Sequence, residues 1–209
     1  MKNLGITQRV EVIESYNERR DCLDQSWGRF ANTIGFNPIP LANIAPEQVA
    51  AYIKDLNLDA LVLSGGNSLA GIDETAADAA PERDEFELEL IKQAIISKIP
   101  VIGVCRGLQV LNRYFHGGLS PITNHVAIKH EIIGTQNDYI FAKKVNSYHN
   151  WAIAPNELGE DLIPLATDTE GNIEALIHKN HKLLGIMWHP ERETPYASQD
   201  IKLFKAFLT

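Results

Sequence analysis

The sequence predicts an α/β protein: a doubly wound, mostly parallel sheet with helices on both faces and a β-rich second half. Three observations carry that expectation. Short apolar runs alternate with helical patterns through the first two-thirds of the 209 residues, as strand–helix–strand units do. The run "IPVIGVC" (99–105) is apolar on both faces, which suits a strand covered from both sides. After residue 118 the helical patterns give way to strand-length runs separated by turns.

In chain order, "NLGIT" (3–7) reads as the opening strand. A polar helix is expected through "YNERRDCLDQSWGRFANTIG" (16–35), stopped by Gly35, with "FNPIPL" (36–41) extended after it. "APEQVAAYIKDLN" (45–57) reads as a helix with Pro46 in its first turn. "DALVLSGGN" (59–67) follows as a buried strand ending in a glycine pair. Pro81 opens the clearest helix. Glu82, Asp84 and Glu85 suit its positive end and Lys98 its far end. Phe86, Leu90, Ile91, Ala94 and Ile95 share one face at helical spacing. Strands are expected at "HVAIKHEIIG", "KKVNSYHNWAI", "LIPLATDT", "IEALIHK" and "KLLGIMWHP", and a closing amphipathic helix at "SQDIKLFKAFL". Without an internal repeat or linker, one domain over 1–209 is expected.

Composition narrows the function. A net charge of −8 argues against a broad basic surface for nucleic acid. No run of about 18 apolar residues predicts a membrane span, and "MKNLGITQRV" lacks the apolar core of a secretory leader. Two cysteines, Cys22 and Cys105, cannot build a disulfide framework, so a reducing, cytoplasmic setting is expected.

The chemistry gathers around Cys105. Gly103-Val104-Cys105-Arg106-Gly107 has the spacing of a nucleophile elbow, with an apolar strand before it and a helical pattern after it. Flanking glycines let such a turn close tightly, and a helix N-terminus favours the thiolate. An exposed thiol on a sharp turn is therefore expected rather than a buried packing cysteine. A nucleophile needs a base and the base an orienter. His189 ends an apolar run, and Glu191 follows across Pro190. In "LSGGNS" (63–68) a glycine pair at a strand's carboxyl end offers free N–H groups. Gly66 and Arg106 N–H are the candidate oxyanion hole. Other motifs fail. Gly66 and Gly71 have phosphate-loop spacing, but Ile72 stands where lysine is needed; His130-Glu131 meets Gly134 rather than a second histidine. His178 and His181 read as surface residues, and no metal or cofactor is expected.

"GVCRGLQ" (103–109), "NSYH" (146–149) and "WHPE" (188–191) together resemble the class I glutamine amidotransferase-like superfamily. More narrowly they resemble its γ-glutamyl hydrolase branch, the peptidase C26-like proteins, over nearly the whole chain. The resemblance implies a flavodoxin-like fold and a Cys105–His189–Glu191 triad that attacks a γ-glutamyl carbonyl through a thioester. It also implies that Gln109, Ser147, Tyr148 and His149 hold the glutamyl α-amino and α-carboxylate groups. Arg106 after the nucleophile is similar to the γ-glutamyl-GABA-hydrolysing members, whereas ammonia-channelling glutaminases more often carry leucine or tyrosine there. The resemblance extends to members that release glutamate and cytidine diphosphoramidate from γ-glutamyl-CDP-amidate for capsule modification. Arg9, Tyr16 and Arg29, which follow the first strand, are the candidate contacts to that leaving group, with Trp27 as a second ring; Arg19 and Arg20 suit a solvated face equally well. Two rival readings stay open: a glutaminase subunit feeding ammonia to a separate synthase, and a redox sensor. His189-Pro190-Glu191 weighs against the sensor.

Overall fold

A computed structural model describes residues 1–135 and 139–209. The first half runs β1 (Lys2–Thr7), β2 (Arg9–Ile13), β3 (Glu18–Cys22), α1 (Gln25–Ile34), β4 (Phe36–Leu41), α2 (Val49–Asp55), β5 (Leu58–Leu63), α3 (Pro81–Ser97), β6 (Val101–Val104) and α4 (Arg106–Tyr114). The second half adds β7 (Ser120–Pro121), β8 (Val126–Glu131), β9 (Ile133–Gly134), β10 (Lys144–Tyr148), β11 (Trp151–Ala152), β12 (Leu162–Thr167), β13 (Ile173–His178), β14 (Leu183–Ile186) and α5 (Ser198–Leu208).

One eight-stranded sheet has the order β4-β1-β5-β6-β14-β13-β12-β9. From β4 to β14 every neighbour is parallel; β13, β12 and β9 continue it antiparallel. The expected mostly parallel, doubly wound sheet is present. Alternate residues of its strands serve opposite faces. Ala60 and Val62 pack with Trp27 and Phe30 of α1 and Phe204 of α5. Leu61 and Leu63 pack with Val49 of α2, Phe86 and Leu90 of α3, and Val110 of α4. The chain leaves β1 outward to β4 and returns to β5 on its other side, so a crevice opens at the carboxyl ends of these strands.

The expected helix over 16–35 is overturned in its first half. Residues 9–22 form a hairpin, with Arg9 opposite Cys22 and Ile13 opposite Glu18. The helix begins only at Gln25, where Asp24 accepts a 2.8 Å hydrogen bond from Ser26 N–H as its N-cap. Tertiary bonds hold the hairpin down: Asn67 pairs with both Val10 N–H (2.8 Å) and Val10 C=O (2.9 Å). His178 is also not a surface residue. It is buried on β13, its Nδ1 accepting from the N–H groups of Asn180 and His181, both at 3.0 Å. Among the described residues no helix is long and apolar enough to cross a membrane.

Candidate active site

Register places the site. Gly103 on β6 lies beside Leu63 on β5 and Gly185 on β14. The residues that follow these three strands therefore leave the sheet at one edge: Ser64–Asn67, Cys105 and His189. Cys105 turns the chain from β6 into α4 with φ 53° and ψ −106°, a strained conformation for a residue with a Cβ. The glycines on either side make that turn possible by close approach. A Cβ on Gly103 would stand 2.4 Å from Gly107 O, and one on Gly107 would stand 2.1 Å from Leu63 O. Cys105 is not exposed as expected; it is 6% accessible and forms part of the wall of a cavity. A thiol recessed in this way excludes bulk water from the reacting atoms.

His189 and Glu191 stand opposite. His189 Nδ1 lies 2.7 Å from Glu191 Oε1, and both side chains are buried. Donation from Nδ1–H leaves Nε2 for the thiol. Asn146 fixes the backbone beneath, accepting from His189 N–H and donating to His189 C=O, each at 2.8 Å. Burial pushes the Cys105 thiol up, but the charge and hydrogen bond of His189, with smaller help from His149 and Arg106 N–H, hold it below the usual thiol value. Burial pushes His189 down, yet Cys105 and Glu191 outweigh it and raise the imidazole to about 9. The two shifts describe one thiolate–imidazolium pair.

The loop after β5 is held from below. Arg83 of α3 is fully buried and donates to the carbonyl oxygens of Ser64 (2.7 Å), Gly65 (3.3 Å) and Gly66 (2.6 Å). In a trans peptide the N–H opposes the C=O. Holding Gly65 C=O against Arg83 therefore turns Gly66 N–H the other way, toward the cavity that Gly66 lines with Cys105. Arg106 N–H, a first-turn donor that has no acceptor within α4, is directed at the same sulfur. The Arg106 side chain points away into the core, bonded to Glu87 and Asp84.

Two cavities flank the Cys105–His189 pair. One, about 280 Å³, is lined by Gly66, Cys105, Arg106, Gln109, Tyr148 and His149 among others. The second, about 270 Å³, lies on the His189 side and is lined by Cys22, Trp27, Glu191 and Arg192. Arg9 borders both. A third cavity, about 570 Å³, lies elsewhere against α5 and has none of the Cys105, His189 and Glu191 side chains in its wall.

Of the expected contact residues, Gln109, Tyr148, His149 and Arg9 are brought to the site. Ser147 is not: it is buried, and its hydroxyl donates to His125 C=O at 2.5 Å. Tyr16 sits at the hairpin turn, 60% exposed, and accepts from Arg20 at 2.9 Å. Arg29 donates to Ser26 on the exposed side of α1. The expectation that Tyr16 and Arg29 border the crevice with Arg9, because they follow the first strand, fails: the hairpin carries Tyr16 to its tip and Arg29 lies on the exposed side of α1. Arg19 and Arg20 pair on the surface with Glu82 and Glu18. Arg192 was missed, although it directly follows Glu191; its guanidinium lies 4.6 Å from the Tyr148 ring centre. Arg83 carried no sequence signal of its own, and Gly65 was marked only as half of the glycine pair in "LSGGNS".

The family model for peptidase C26 matches residues 4–191. The γ-glutamyl-CDP-amidate hydrolase of Campylobacter jejuni is 39% identical over 193 residues, covering 91% of this chain and 90% of that protein. The γ-glutamyl-γ-aminobutyrate hydrolase of Escherichia coli O157:H7 is 29% identical, covering 73% of this chain and 71% of its own. A glutamine amidotransferase structure from Thermotoga maritima shares the fold with a TM-score of 0.65 at 15% identity, covering 98% of this chain and 83% of that one. With a matching model that spans both Cys105 and the His189–Glu191 pair, the chain belongs to the peptidase C26 family.

Proposed function

We propose that this chain is a cysteine-dependent hydrolase of a γ-glutamyl amide, with a Cys105–His189–Glu191 triad. The observation that carries the reading is the meeting of the strained Cys105 turn with the buried 2.7 Å His189–Glu191 pair. The Cys105 thiolate attacks the γ-carbonyl carbon, and the carbonyl electron pair moves onto oxygen. Gly66 and Arg106 N–H donate to that oxyanion. Collapse expels the amide nitrogen, which takes the proton from His189 Nε2 and leaves a γ-glutamyl thioester. Water then adds to the thioester carbon and gives its proton to His189. Glutamate departs as the thiolate re-forms. Glu191 keeps the imidazole in the required tautomer throughout.

The glutamyl group belongs in the cavity of Gln109, Tyr148 and His149, and the leaving group in that of Arg9, Trp27 and Arg192. Two arginines at the second cavity suit phosphate oxygens, and an indole in its wall suits a base. With the Campylobacter relative, these features favour γ-glutamyl-CDP-amidate, releasing cytidine diphosphoramidate for capsule modification. The test is glutamate release by the purified chain from γ-glutamyl-CDP-amidate, γ-glutamyl-GABA and glutamine. The nucleotide substrate should turn over fastest without any partner, and Cys105→Ser should abolish release. His189→Ala should cost more than Glu191→Gln. Turnover of glutamine alone, dependent on an added synthase, would replace this reading with that of a glutaminase subunit.

A further inference from the structure

Beside the Cys105 cavity, the second half of the sheet region brings together three side chains that take no part in the proposed proton and acyl transfers, although His149 also lines the glutamyl cavity. His130 comes from β8, His149 from the turn after β10 and Glu174 from β13. Their candidate donor atoms all lie within 4.8 Å of one another. Glu174 is 1% exposed, and His149 is buried. Neither Glu174 oxygen, nor His130 Nε2, nor His149 Nε2, has a hydrogen-bond partner among the described residues. Buried groups of this kind are almost always paired, so four orphaned atoms in one place need a cause.

Tautomer and distance supply one. His149 Nδ1 lies 3.0 Å from Trp151 C=O. A carbonyl can only accept, so Nδ1 carries a proton, and the neutral form of the ring turns a bare Nε2 lone pair inward. That lone pair faces Glu174 Oε1 at 3.5 Å, and His130 Nε2 faces Oε2 at 3.5 Å. A protonated imidazole bound to a carboxylate would close to about 2.7–2.9 Å. Ligands on a tetrahedral ion with bonds of about 2.0–2.1 Å sit roughly 3.3–3.4 Å apart; each imidazole nitrogen stands near that distance from one oxygen of Glu174, His149 from Oε1 and His130 from Oε2. Nδ1–H donation to a backbone carbonyl is also the usual outer support of a metal-bound histidine.

We propose that His130, His149 and Glu174 form a divalent transition-metal site, with zinc the ion whose geometry fits best. The set is two imidazole nitrogens and a carboxylate, with water as the fourth ligand. Its place in the fold gives it a consequence. Trp151 C=O accepts from His149 Nδ1 and, at 3.1 Å, from Gln109 Nε2. An ion on His149 therefore stiffens the wall against which Gln109 is held.

The test uses the full-length chain, stripped with chelator and titrated with Zn²⁺ and with Co²⁺ by calorimetry and absorption. Cys105 could itself take up metal, so the titrations are made in a Cys105→Ser background. One equivalent should bind, Tm should rise with metal concentration, and cobalt should give the intense visible bands of four-coordination. Glu174→Gln in that background should weaken binding by 10²-fold or more. If that variant fails to fold, His130→Ala, nearer the surface, should do the same. Binding that vanishes with Cys105→Ser, weak octahedral cobalt bands, or affinity unchanged in both ligand variants would overturn the site and leave a protonated histidine–glutamate network.

Discussion

A single methyl on Gly65 would stand 2.6 Å from His189 Cε1 and 3.6 Å from Cys105 Cβ. The ring is held by Glu191 at Nδ1 and lies edge-on to Tyr148, so it does not swing away as a flexible side-chain end could. Gly65→Ala should therefore lower kcat by about 10²-fold through misplacement of the reacting pair, with Tm and circular dichroism close to the parent. A variant of undiminished kcat would show that the imidazole has more freedom than these contacts allow. The pair also fixes a pH response. The thiol lies below its ordinary value and His189 is raised to about 9, so the two titrate together. Iodoacetamide should alkylate Cys105 faster than a free cysteine below pH 8.5, where a free thiol is mostly protonated. Hydrolysis should decline above about pH 9, as His189 loses the proton that the leaving nitrogen needs. In His189→Ala the main opposition to burial is gone, with only His149 and Arg106 N–H left against it, and the alkylation profile should move to higher pH than in the parent. An unmoved profile would remove the ion pair. Cys105, His189 and Glu191 were legible because their signals are local in sequence. Gly65 acts by touching residues far along the chain, and no local pattern records that.

At the scale of elements, α3 shows both what a pattern reveals and what it hides. Its apolar face was plain at helical spacing, and Phe86, Leu90, Ile91 and Ala94 are fully buried. Yet α3 also buries Arg83 and Glu87, which its apolar pattern does not single out. They are compensated inside: Glu87 accepts from Arg83 at 3.0 Å, from Thr7 at 2.6 Å and from Arg106. The helix thereby carries the support of the candidate oxyanion loop. Arg83→Lys keeps the charge but loses the fork that reaches three carbonyls. It should lower kcat about 10- to 10²-fold with KM little changed, the signature of lost transition-state stabilisation. A lowered Tm with kcat intact would reduce Arg83 to scaffolding. The hairpin was missed for a related reason. β3 exposes Glu18, Arg19, Arg20 and Asp21 in succession, so it has no buried face to generate a period of two. β7, β9 and β11 have two residues each, too few for any period. The central strands β5, β6 and β14 announced themselves as apolar runs and α5 by its amphipathic pattern, and those were legible.

Over the whole molecule the charge is −8, which repels an anionic nucleotide, while the cavity proposed for it is bordered by Arg9 and Arg192. The two effects act over different ranges. The field of the whole surface reaches about 30 Å at 0.01 M salt but about 10 Å at 0.1 M. Contacts to the arginines act at hydrogen-bond distance, where salt intervenes little. Arg9 is prepared for this role: its Nε lies 2.6 Å from Glu11, yet has no well-aimed hydrogen-bond acceptor among the described residues. For γ-glutamyl-CDP-amidate, kcat/KM should therefore fall as salt is lowered from 0.1 to 0.01 M, because repulsion slows approach. Glutamine, a zwitterion without net charge, should show little change. Arg9→Ala should raise KM for the nucleotide substrate about tenfold or more and steepen its salt dependence, since attraction at contact no longer offsets the field. Slow glutamine cleavage by the same variant should match the parent. Equal losses on both substrates would mean that Arg9 serves the loop at Gly66, against which it packs, rather than the leaving group. A parent kcat/KM that rises at low salt would show that the arginine-lined mouth, not the net charge, governs approach.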